Sequence, residues 1–261
     1  MGDIYTHGHH ESVLAMHADR TVETSAAYLL ALLQPGLDVL DVGCGPGSIT
    51  AGLAERTAPG TTIGIDVDPG IVARARRSVP GARFEAADVH ALPFEDASFD
   101  VVHAHQVLQH LSDPVAALTE MRRVVRRGGV VAARDVDYAS MIWSPASPLL
   151  DRWLDLYHRV ARANGGEPDA GRRLPAWFRE AGLGDLSVSA SAVWYADPPG
   201  RSFWGDGWRR RAVESAFARQ AVAGGHATER DLIEIAEAWG TWAHDPSAFL
   251  AYTNTEVIGR E

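Results

Sequence analysis

The chain has 261 residues, 46% hydrophobic and 22% charged, and its formal charge of −10 argues against a nucleic-acid backbone as partner. No apolar run approaches the roughly twenty residues of a membrane span, so a cytoplasmic protein with a small-molecule partner is the default. All 24 basic residues are arginine, which removes Schiff-base chemistry, a lysine base and a P-loop kinase together; the lone Cys44 excludes an intrachain disulfide, and the lysine-free, alanine- and arginine-rich composition suggests a high-GC bacterial origin.

The N-terminal stretch carries His7, His9, His10 and His17, with Tyr5 ahead of them. No cysteine or acid completes a ligand set at metal spacing, so these read as a polar arm and no metal is expected. Thr21 or Thr24 is placed to cap a helix through Ala27, Leu29, Leu30 and Leu33 that stops at Pro35-Gly36.

A first strand is expected at Val39-Leu40-Asp41-Val42, running into Gly43-Cys44-Gly45-Pro46-Gly47 and a helix that starts at Ser48. Such a junction brings bare backbone close to a ligand and aims helix N–H groups at its negative end. The dinucleotide pattern wants glycine or alanine where Ser48 stands. Asp41, two residues before the first glycine, suits a cationic amine and would repel a pyrophosphate.

Residues 61–66 form a second strand ending in Asp66; Asp68 then caps a helix over 70–77. An acid at that strand end suits a ribose, because a carboxylate accepts from both hydroxyls. A third strand, 82–86, leads to Asp88-Val89. The fourth, 99–104, continues into His105-Gln106-Val107-Leu108-Gln109-His110 at the edge where open α/β sheets bind ligands. His103 and His105 share a strand face, and histidine's pKa near neutrality makes His105 a candidate to face a reaction.

Asp113 and Pro114 open a helix in which Arg122, Arg123, Arg126 and Arg127 crowd the last turns before Gly128-Gly129. This reads as a solvated helix end that suits the dipole, rather than a nucleic-acid patch. A fifth strand, 130–134, would release Asp135, Asp137 and Tyr138 at the active edge. Five strands alternating with helices predict a parallel, doubly wound sheet.

All 8 tryptophans lie after residue 140. Helical spacing covers 149–160 and 174–181, a sixth strand 186–195, helices 203–223 and 228–242 after a break at Pro198-Pro199-Gly200, and a last strand 249–258. Many of these tryptophans must be core; aromatic walls above a cofactor would also suit a hydrophobic or aromatic substrate.

Leu40 to Gly47, Asp66, Asp88-Val89 and Gln106 to Leu111, each at the end of an expected strand, together resemble the class I S-adenosylmethionine-dependent methyltransferases. Within that class the resemblance is to the small-molecule group that includes quinone-biosynthesis enzymes, and it covers about residues 36–135. It implies an α/β, Rossmann-like, doubly wound sheet of seven mostly parallel strands, with an N-terminal helical arm and C-terminal helices forming a substrate lid. A single domain is implied: arm 1–35, cofactor-binding core 36–135, substrate part 136–261. The implied contacts to S-adenosyl-L-methionine are Asp41, Gly43, Cys44 and Gly45 at the loop, Asp66 and Val67 after the second strand, and Gln106 along the methionine portion. Asp88 would accept from the adenine amine and Val89 offer its N–H to the ring. Tyr5 and Arg20 would close over the cofactor, Arg20 being suited to its carboxylate.

The activity implied is methyl transfer to an O, N or C atom of a small, hydrophobic or aromatic metabolite, with S-adenosyl-L-homocysteine as product. For a hydroxyl nucleophile the candidate bases are His105, Asp135 and His110, in that order. Two alternatives stay open: the same fold binding the cofactor without methyl transfer, as a cyclase or binding module, and a nicotinamide-dependent dehydrogenase. A macromolecular acceptor is disfavoured by charge, and the chain is expected as a monomer or homodimer. Asp197-Pro198-Pro199-Gly200 is not the D-P-P-aromatic signature of nucleobase amino-methyltransferases, since it comes after the sixth strand and ends in glycine.

Overall fold

A computed structural model describes Thr6 and residues 20–261; Tyr5, His7, His9, His10 and His17 lie outside the described residues. Strands β1 (Val39–Val42), β2 (Thr62–Asp66), β3 (Arg83–Ala86), β4 (Phe99–His105), β5 (Val125–Ser144), β6 (Gly184–Tyr195) and β7 (Phe249–Arg260) form one sheet. Their order is β3-β2-β1-β4-β5-β7-β6. The first five pair in parallel, and β7 runs antiparallel to both β5 and β6. This is the expected mostly parallel, doubly wound sheet. Strand order reverses between β1 and β4, and that switch point opens a crevice beyond their carboxyl ends.

Every residue of β1 is buried, and β4 is buried but for Asp100. Central strands covered on both faces read as nearly continuous apolar runs, which is why they are visible in the sequence. The helices α1 (Val22–Ser25), α2 (Ser48–Thr57), α3 (Pro69–Ser78) and α4 (Pro114–Val124) take the expected positions. Thr21 and Thr24 form a capping box on α1. The chain then leaves helical geometry at Ala26 and continues as a tighter 3-10 turn, Ala27–Leu32, which puts Ala26 and Leu29 in the core in place of the longer expected helix.

Three stretches differ further from expectation. Helix α4 ends at Val124, so Arg126 and Arg127 open β5 instead of closing the helix. The basic cluster is largely ion-paired: Arg122 with Glu261, Arg123 with Glu120 and Asp96, and Arg126 with Asp38 and Asp100. Second, β5 does not stop at Arg134; β7 pairs alongside it as far as Ser144, with a register shift between Asp137 and Ile142. Asp135 and Asp137 therefore sit inside a strand and not at its open end. Third, Pro198-Pro199 starts a short helix, α7 (Pro198–Arg201), because Asp197 accepts from the Gly200 N–H and proline is tolerated in a first turn.

The helical part after β5 comprises α5 (Pro148–Ala163), α6 (Ala170–Glu180), a π-helical turn (Ser202–Asp206), α8 (Gly207–Glu214), α9 (Ala216–Ala223) and α10 (Glu229–His244). The expected helix over 203–223 is interrupted at Ser215, which is extended. Trp153, Trp208 and Trp239 are fully buried here, with Trp153 edge-on to the other two at 4.6 and 4.9 Å. They are core, and such pairs add to their burial about 0.5–1.5 kcal/mol each.

Candidate active site

The loop after β1 is built by three glycines in the left-handed region: Gly43 at φ 63°, Gly45 at 55° and Gly47 at 86°. A Cβ on Gly43 would lie 2.4 Å from Val107 Cγ2, so the close approach of the β4 turn requires glycine there. Around Gly45 a Cβ would meet nothing within 4 Å, because that backbone borders a cavity. The cavity measures about 260 Å³ and gathers the carboxyl ends of β1, β2 and β4 with the loop after β3.

Asp41, Gly43, Cys44, Gly45, Asp66, Val67, Asp88, Val89 and Gln106 all line it, as does Arg20 from the arm. Asp66 accepts from the Gly45 N–H at 3.1 Å and the Asp68 N–H at 3.0 Å. Two backbone donors thus fix its carboxylate at the end of β2. Val67 beside it is 73% exposed, an apolar side chain on the cavity lip. Asp88 accepts from the His90 N–H at 2.9 Å, which holds its carboxyl below the ordinary value.

Asp41 is the most enclosed of these acids. One oxygen is 2.8 Å from His103 Nδ1 and the other accepts from Thr50 at 2.6 Å. His103 is fully buried, so the two histidines of β4 have different fates: His103 anchors Asp41 while His105 reaches the cavity. Cys44 is buried, and burial with the nearby Asp41 and Asp66 carboxylates pushes its thiol up, away from nucleophilic chemistry.

Gln106 turns the chain sharply after β4, at φ 53°, a conformation sparsely used by residues other than glycine. Its side chain accepts from Arg20 and donates to Asn254 at 3.3 Å. Strain of this kind persists only where surroundings fix it. Here Gln106 N–H donates to Arg134 O at 2.7 Å and ties the turn to β5.

A second chamber, of about 270 Å³, adjoins the first. Arg20, His105, Gln106 and His110 line both. Its walls are aromatic: Tyr138, Tyr195, Phe203, Trp204 and Tyr252. Tyr195 stacks on Trp204 at 5.2 Å, and Trp204 packs against Tyr252 at 5.4 Å. Of the eight tryptophans, Trp204 alone lines this chamber.

The three candidate bases separate here. His105 and His110 both stand where the chambers meet. Burial, reinforced by Arg20, pushes His110 down to about 3, and its Nε2 lies 3.1 Å from the Gln109 amide nitrogen. Asp135 lines neither chamber: it is fully buried inside β5, and burial pushes its carboxyl up to about 8 despite the Gln109 N–H at 3.4 Å. Its expected place at the open edge rested on a strand that stops at Arg134. Tyr5 lies outside the described residues. Sequence reasoning passed over Arg134, Tyr195, Arg211 and Tyr252 as lining groups. Only Arg134 carried a signal, as a charge inside an otherwise apolar strand.

A family profile described as "Methyltransferase domain" matches residues 40–133. An uncharacterised methyltransferase of Schizosaccharomyces pombe is 31% identical over 268 residues, spanning 97% of this chain and 95% of its own. A demethylmenaquinone methyltransferase of Roseiflexus castenholzii is 34% identical over 170 residues, 62% of this chain and 68% of its own. The crystal structure of the YcgJ protein of Bacillus subtilis superposes with a TM-score of 0.60 at 18% identity, covering 90% of this chain and 97% of that one. At that identity the likeness shows the fold.

Proposed function

The chain belongs to the class I S-adenosylmethionine-dependent methyltransferases, and from that premise we propose that its acceptor is a small, hydrophobic or aromatic metabolite seated in the second chamber. The observation that carries this reading is the pair of adjoining chambers sharing Arg20, His105, Gln106 and His110. Such sharing brings a donor on one side and an acceptor on the other to a common boundary, and orientation of this kind is worth several kcal/mol.

The first chamber suits the cofactor by its donor set. Asp66 is oriented to accept from the ribose hydroxyls, and Asp88 from the adenine amine, with Val67 and the Val89 backbone along the ring. Gly43, Cys44 and Gly45 give backbone approach, which a side chain at Gly45 would fill. Asp41, Gln106 and Arg20 serve the methionine end, Arg20 toward its carboxylate. Bound S-adenosylmethionine supplies an activated methyl: the bond to the acceptor atom forms as the carbon–sulfur bond breaks, and the electron pair stays on sulfur.

The protein's own work is alignment, exclusion of water and, for a hydroxyl acceptor, removal of one proton. His105 is our candidate for that step, because it lines both chambers. His110 is too weakly basic to keep a proton near neutral pH, and Asp135 is fully buried and lines neither chamber. The arm and the segment around Phe203 and Trp204 act as the lid, a role supported by Arg20, Thr24, Phe203 and Arg211 along the second chamber. We take residues 1–261 as one domain, with the cofactor side in 36–135 and the acceptor side in 136–261. No described helix is long and apolar enough to cross a membrane. A bacterial, cytoplasmic setting is our reading of the lysine-free composition and lone cysteine.

Family membership sets aside the dehydrogenase alternative. The remaining rival, cofactor binding without transfer, is tested by turnover. With an acceptor identified by screening small aromatic metabolites, His105→Ala should lose about a hundredfold or more in kcat while S-adenosylhomocysteine affinity is retained. Full activity in that variant would remove His105 from the reaction.

A further inference from the structure

The second chamber has an uneven charge. Three arginines, Arg20, Arg134 and Arg211, line it, and no aspartate or glutamate does among the described residues, in a chain of formal charge −10. Arg134 is the most informative. It is 5% exposed, on the row that runs across the sheet from His105 on β4 through Arg134 on β5 to Glu256 on β7. Cross-strand neighbours in register share a face, so Arg134 stands one strand away from His105.

Its guanidinium is held from behind. Nε donates to Glu256 at 3.2 Å and Nη2 donates to Ser191 at 3.0 Å, while Ser189 donates to the other Glu256 oxygen at 2.8 Å. Nη1 has no hydrogen-bond partner among the described residues, although the side chain lines the chamber. A buried guanidinium with oriented, unspent donors is costly unless something accepts from it. Around it the walls are flat: Tyr195 and Trp204 stack with an interplanar angle of 26°, and Tyr252 closes the far side. Burial pushes both phenols up, so both side chains are neutral at physiological pH.

Building on the methyltransferase reading above, we propose that the acceptor is a small planar acid, an aromatic or conjugated carboxylate, whose carboxylate lies on Arg134 and whose ring lies between Tyr195, Trp204 and Tyr252. Glu256 orients the guanidinium from the side away from the chamber. The carboxylate in this arrangement is an anchor; the methylated atom lies toward His105 and the first chamber.

Calorimetry on the full chain saturated with S-adenosylhomocysteine tests this with paired probes: 4-hydroxybenzoate against 4-hydroxybenzamide, and cinnamate against cinnamamide. The acids should bind at least about tenfold more tightly than the amides. Arg134→Gln should abolish that preference, and Glu256→Gln, which leaves the arginine and removes the competing carboxylate, should keep or enlarge it. Both should keep their S-adenosylhomocysteine affinity. If Arg134→Gln fails to fold, the double variant Arg134→Gln/Glu256→Gln, neutral at both positions, should show the same loss. Equal binding of acids and amides, or an acid preference that survives removal of Arg134, overturns the proposal while the cofactor reading stands. Failure of S-adenosylhomocysteine to bind the wild type would take both down.

Discussion

His110 lies in the turn after β4 and Asp135 inside the neighbouring β5, and burial moves the two groups in opposite directions. Asp135 keeps its proton up to about pH 8 in the folded chain, whereas an unfolded aspartate releases it near pH 4. The folded state therefore binds more protons in that window, and stability falls as pH rises through it. Asp135→Asn removes this slope. Thermal midpoints monitored from about pH 5 to about pH 8 should show the variant gaining on the wild type toward the alkaline end. Parallel curves would mean that Asp135 is already ionised when folded. His110 has the opposite sign: it is held down to about 3, so its contribution to stability is lost as pH falls below its unfolded value near 6.5. Asp66 and Asp88 were legible in the sequence because a strand end and its offset from a glycine loop are local features. The inward course of Asp135 was not, since it depends on how far β5 runs.

That length is decided at the level of elements. β7 comes more than a hundred residues after β5 in the chain, yet its pairing carries β5 from Arg134 on to Ser144. A reading of local periodicity ends the strand where the apolar run ends, and so misplaces Asp135 and Asp137. By contrast β1, β2 and β4 are buried central strands with turn signals at both ends, and the sequence located each to within a residue or two. The π-helical turn at Ser202–Asp206 and the break at Ser215 had no local signature, because packing against α10 and the aromatic core sets them. The loop after β1 permits a paired test. Gly43→Ala combines a left-handed backbone with a 2.4 Å clash on Val107 and should cost about 2–5 kcal/mol in chemical denaturation. Gly45→Ala has the same backbone penalty with no clash, so it should cost about 1–2 kcal/mol and weaken S-adenosylhomocysteine binding by filling the cavity. Equal stability losses and unchanged binding in both would mean that the cavity is not where the ligand sits.

Across the whole molecule the two chambers differ in what lines them. The glycine loop and strand-end acids make the first chamber from residues 41–111 together with Arg20, and nearly all of that was readable from the chain. The second chamber draws on β4, β5, β6, β7, α8 and the arm, from Arg20 to Tyr252, and only assembly brings these together. Tryptophan enrichment after residue 140 pointed to aromatic walls, yet most of the chamber's rings are tyrosines, and the largest buried tryptophans form the neighbouring core. In the proposed function the first chamber holds S-adenosylmethionine with its ribose on Asp66. The most direct test is calorimetric titration of wild type and Asp66→Ala with S-adenosylhomocysteine, with NAD as control. S-adenosylhomocysteine alone should bind, weakened in the variant by about 1–3 kcal/mol, roughly five- to 150-fold. Preference for NAD, or undiminished binding by Asp66→Ala, would contradict it.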